Sequence, residues 1–87
     1  MEKTASGALN NWLNTIMADK VIFSAVIDKK LVKDIGLAEN TTDNLIRIIK
    51  TASKDLIGKD VAGGSISNIL VEKNKGLWKI VVFKEKF

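Results

Sequence analysis

The sequence predicts a single α+β domain over residues 1–87, in the order helix, strand, strand, helix, strand, strand (αββαββ). Its sheet should be antiparallel-rich, with helices packed on its faces. Three observations predict this. Two segments repeat their apolar residues at the helical period, several β-branched runs are apolar on both faces, and the strands are joined by short polar or glycine-containing turns. Such turns favour hairpins over parallel crossovers and leave no linker between domains.

In the first segment, Leu9, Trp12, Leu13, Ile16 and Met17 recur at i, i+3, i+4, i+7 and i+8 between Ala5 and Met17. That spacing is an amphipathic helix, with Ser6 as the expected N-cap, Asp19 and Lys20 as its close, and Trp12 as a core anchor. Val21 to Asp28 then alternates Val21, Phe23, Ala25 and Ile27 with Ile22, Ser24 and Val26. With both faces apolar, the expectation is a central strand covered on two sides. Asp28, Lys29 and Lys30 read as a polar turn, and Leu31 to Ile35 as the returning strand, ended or bulged by Gly36.

Asn40, Thr41 and Thr42 supply capping chemistry for a long helix from Asp43 to about Ile57, and Asp43 complements its dipole. At about 100° per residue, Leu45, Ile46, Ile48, Ile49, Ala52, Leu56 and Ile57 fill an arc of about 180°, whereas a single sheet needs roughly 100°. The helix can cover its own sheet with Leu45, Ile49, Ala52 and Leu56. Ile46, Ile48 and Ile57 are left either for neighbouring loops or for a partner surface, and they are the candidate interface. Gly58 and the Gly63–Gly64 pair end the helix and turn the chain. Ile66 to Glu72 and Leu77 to Lys84 form the second hairpin, joined through Lys73, Asn74, Lys75 and Gly76. Its second strand places Leu77, Val81 and Phe83 on one face and Trp78, Ile80 and Val82 on the other. Asn68 is a polar spot on an apolar strand, either an interface residue or an ordinary solvent-side one.

The order of elements and the hydrophobic patterns resemble the roadblock/dynein light-chain family. The resemblance is carried by Val21-Ile22-Phe23-Ser24-Ala25-Val26-Ile27-Asp28, by the Thr41–Thr42 helix entry, and by Ile66-Ser67-Asn68-Ile69-Leu70-Val71-Glu72 followed by Leu77-Trp78-Lys79-Ile80-Val81-Val82. It spans nearly the whole chain. The family usually adds a fifth strand and often a further helix, whereas this sequence reaches Phe87 without them, which points to a minimal relative or a different αββαββ fold. The resemblance implies a homodimer, or a heterodimer with a related chain, in which the long helices and the strands after them meet across a two-fold axis. It further implies a non-enzymatic platform for small Ras-like GTPases or motor assemblies. No residue matches a GTPase-contact motif.

Composition narrows the function classes. At 46% hydrophobic and 28% charged residues the chain is globular, and 87 residues give one core that dimerisation would help to stabilise. No run reaches the roughly 18 apolar residues of a membrane span, and the first residues lack a signal-peptide core, so a cytoplasmic location is expected. The net charge of +4 invites nucleic acid as a partner, but Arg47 is the sole arginine among 14 basic residues and the lysines are interspersed with acids. A mixed solvated surface makes nucleic acid the less favoured partner. Lys29, Lys30 and Lys33 form a local basic run, and Lys73, Lys75, Lys79, Lys84 and Lys86 bias the last hairpin positive.

The pattern predicts no catalytic, cofactor or metal site. Without histidine or cysteine the common metal clusters and nucleophile–base pairs have no members. Asp28 with Asp34, and Asp55 with Asp60, read as solvated acids or caps. Gly58-Lys59-Asp60 lacks the earlier glycine and the following Ser or Thr of a phosphate loop, and Gly63-Gly64-Ser65 opens a strand rather than a helix. The expected function is a non-enzymatic dimeric scaffold or regulatory adaptor that binds another protein, with a small GTPase as one partner class. The alternatives are a small basic nucleic-acid-binding dimer and a subunit that borrows site residues from another chain.

Overall fold

The computed structural model describes residues 5–38 and 41–87. It contains α1 (Ala5–Ile16), β1 (Ile22–Val26), α2 (Lys29–Ile35), α3 (Thr42–Leu56), β2 (Asp60–Val61), β3 (Gly64–Asn74) and β4 (Leu77–Lys86). The α+β class and the antiparallel sheet are as the sequence predicts, with four strands in the spatial order β1-β4-β3-β2.

α1 buries Ala8, Leu9, Trp12 and Leu13, with Met17 just beyond it, so the helical spacing translates directly into core contacts. Ser6 lies within the helix rather than at an N-cap. α3 buries Leu45, Ile46, Ile49, Ala52, Ser53 and Leu56. Its N-cap is Thr41, whose Oγ1 accepts a hydrogen bond from the Asn44 amide at 3.2 Å; Asn40, also named as capping chemistry, lies outside the described residues.

Leu31 to Ile35 is helix, not strand. Asp28 sits in extended backbone and its Oδ1 accepts from the Leu31 amide at 3.0 Å, which starts α2. Gly36, at φ 83°, adopts the left-handed conformation that closes it. Leu31 and Ile35, one turn apart, both enter the core. The polar triplet read as a turn is therefore a helix start, and β1 pairs with β4 instead of with its successor in sequence.

β1 is consequently an edge strand and not a central one. Phe23 and Ala25 face the helices, opposite Val82 and Ile80 of β4, while Ile22, Ser24 and Val26 face away. β2 adds a two-residue ladder that the sequence pattern did not reveal, pairing Asp60 with Ser65 and Val61 with Gly64. Between β3 and β4 the register steps at Ser67: Ile66 opposes Lys84, but Asn68 opposes Phe83. This bulge resets the alternation, so that Ile66 and then Ile69 point inward while Asn68 and Leu70 point out.

All three helices feed one core. Ile66, Ile69, Ile80 and Val82 of the sheet meet Leu9, Leu13, Leu31, Ile35, Leu45 and Ile49 of the helices. Lys84, placed by the sequence among the surface charges of the hairpin, is buried instead, and its Nζ donates to the carbonyls of Met17 at 2.5 Å and Ala62 at 2.7 Å.

Candidate functional site

With the helices gathered on one side, the opposite face of the sheet has no layer over it among the described residues. Cross-strand partners in an antiparallel ladder share a face, so the register defines the rows of this surface. One row is Ile22, Phe83 and Asn68, the next Ser24, Val81 and Leu70, and the third Val26, Lys79 and Glu72. Leu77, beyond Lys79 on β4, continues the same face. Ile22 and Leu77 are 58% and 60% exposed, Val26 44% and Leu70 37%. Val81 and Phe83 are half-buried between them. Glu72 and Lys79 oppose each other across β3 and β4, and Glu85 lies further along β4 on the same side. Six apolar side chains share this face with Glu72, Lys79 and Glu85, and bring no reactive group together.

The four residues singled out from the sequence do not gather on one surface. Ile46 is only 5% exposed and belongs to the core, which corrects its placement on an outward flank: α3 buries both Leu45 and Ile46, a wider arc than one sheet contact requires. Ile48 is half-buried beside a cleft between α1 and α3 lined also by Arg47, Thr51 and Asp55. Ile57 is 45% exposed at the C-cap of α3. Asn68 lies on the open sheet face, where its Oδ1 accepts from the Ile69 amide at 2.9 Å.

The residues missed were Ile22, Val26, Leu70, Leu77, Val81 and Phe83. Their signal was present, since β1 and β4 read as apolar on both faces; it was assigned to a second helical layer that the chain does not place there. Asp28 is a helix cap, and Asp34 is exposed on α2. Among the described residues no group of three or more Asp or Glu side chains is placed to hold a metal ion, and no helix is long and apolar enough to cross a membrane. No protein-family model, characterised protein or solved structure matches the chain.

Proposed function

We propose that the chain is a non-enzymatic scaffold or regulatory adaptor of the cytoplasm that works as a dimer and acts by occupying protein surfaces. The observation that carries this reading is the open sheet face, where Ile22, Val26, Leu70 and Leu77 remain exposed around Val81 and Phe83. Soluble monomers rarely leave contiguous apolar patches larger than a few hundred Å² uncovered, and larger ones mark interaction sites.

A second copy is the occupant this face suits. Net charge of +4 makes two whole chains repel, but the face itself opposes Glu72 to Lys79 and carries Glu85 further along β4, so the contact does not concentrate the lysines. Two such sheets stacked at about 10 Å bury their apolar rows against each other as a sandwich does. The helical side of each subunit then stays free for a further protein. A small Ras-like GTPase is the partner class that the roadblock resemblance, resting on the residue pattern alone, adds to this proposal.

Leu70→Lys and Val26→Lys test it, because both side chains are exposed in the single chain. At concentrations where both are single chains each variant should unfold within about 0.5 kcal/mol of the parent, yet at higher loading it should lose self-association in analytical ultracentrifugation. Association that persists unchanged in both variants rules out the sheet face as the contact.

A further inference from the structure

The fold gathers at one end what the sequence disperses. Trp78, half-buried on β4, faces its cross-strand neighbour Lys73 of β3, whose Nζ lies 5.8 Å from the indole centroid. Lys50 reaches the same ring from α3, with its Nζ 4.9 Å from the centroid. Arg47, one turn before Lys50 and the sole arginine of the chain, lines a cleft with Trp78, Ile46, Thr51 and Asp43. Lys50, Lys73 and Arg47 are all exposed, while Ile46 is buried and gives the cleft an apolar floor. Two lysines from two elements thus sit over one aromatic ring, with Arg47 in the same cleft and Asp43 its one acidic lining residue among the described residues.

We propose that this cleft binds single-stranded nucleic acid, with an unpaired base stacked on Trp78 and the adjoining phosphates held by Arg47, Lys50 and Lys73. The lysines rest on the indole only through exposed cation–π contacts, which are weaker than the stacking of a base on an aromatic ring. An incoming base displaces one ammonium from the ring and releases it to a phosphate. Paired bases in a duplex do not offer that face, and an acidic peptide or sulfated polysaccharide would use the cations and leave the indole idle. This site lies on the helix-bearing side of the sheet, so it is independent of the proposed dimer contact.

Intrinsic tryptophan emission of the intact protein, titrated with oligothymidylate across 50 to 200 mM salt, reads the site directly, because Trp12 is 8% exposed in the core and Trp78 is not. Saturable quenching is expected, with a slope of log affinity on log salt of about −2 for three phosphate contacts. Arg47→Ala and Lys50→Glu, both at exposed positions, should weaken binding at least several-fold, with Arg47→Ala also flattening the slope by about 0.7. No quenching at 50 mM salt overturns the proposal. So does equal quenching by heparin or polyglutamate, which assigns the cleft to generic polyanions or an acidic protein, and so does duplex binding as tight as that of the single strand.

Discussion

Lys84 shows how a single residue can tie together segments that are distant in sequence. Its ammonium is buried and donates to the carbonyl of Met17, at the end of α1, and to that of Ala62, in the turn between β2 and β3. A positive charge at a helix C-terminus also complements the helix dipole. Lys84→Met keeps the aliphatic stem but leaves both carbonyls without that donor, and it should cost about 1–3 kcal/mol in urea unfolding. A variant as stable as the parent would mean that those carbonyls find other donors. Gly64 is held by space rather than by backbone angle, because a Cβ there would stand 2.3 Å from the Glu85 carbonyl oxygen. Gly64→Ala should therefore push β3 from β4 and cost about 1–3 kcal/mol, measured by the same unfolding transition. Neither role was legible in the sequence. A lysine in an alternating strand reads as solvent-facing, and a glycine beside another glycine reads as a turn.

At the scale of elements, the helices with long apolar stripes were legible and the short element was not. α1 and α3 offer enough residues for the period to declare itself, and their buried positions are largely those the spacing selects. α2 is seven residues long, so Leu31, Val32 and Ile35 fit a short strand as well as two turns of helix. What decides is capping, with Asp28 accepting the Leu31 amide and Gly36 closing the last turn. Asp28→Ala should cost about 1 kcal/mol and raise amide exchange in α2 before the rest of the domain. Exchange that is unchanged throughout α2 would remove the cap from the account. The bulge at Ser67 was hidden for a similar reason, since one inserted residue changes which side chains face the core without changing the composition of the strand.

The described residues form two layers, helices on a sheet, and leave the sheet's second face open. Two-sided hydrophobicity in β1 and β4 was visible in the sequence, and so was a surplus of apolar surface over what one core absorbs. Its location was not. Counting the surplus on α3 placed Ile46 outside, whereas the domain buries Ile46 and leaves Ile22, Val26, Leu70 and Leu77 exposed. Which strands lie beside which, and on which side the helices fall, are properties of the tertiary arrangement that alternation within a strand does not encode. Asn68 was placed at an interface from its strand context, and the bulge turns it toward the open face.

The proposed dimer through that face has a direct signature in the molar mass of the unmodified protein in solution. Light scattering on a size-exclusion column, repeated over a wide concentration range, should give twice the 9.5 kDa chain mass at the higher loadings and fall toward the single-chain value on dilution. Val81→Glu, at the centre of the face, should remain at the single-chain mass throughout, because its carboxylate would be desolvated in the contact. A single-chain mass for the unmodified protein at every concentration would rule out the sheet-face dimer.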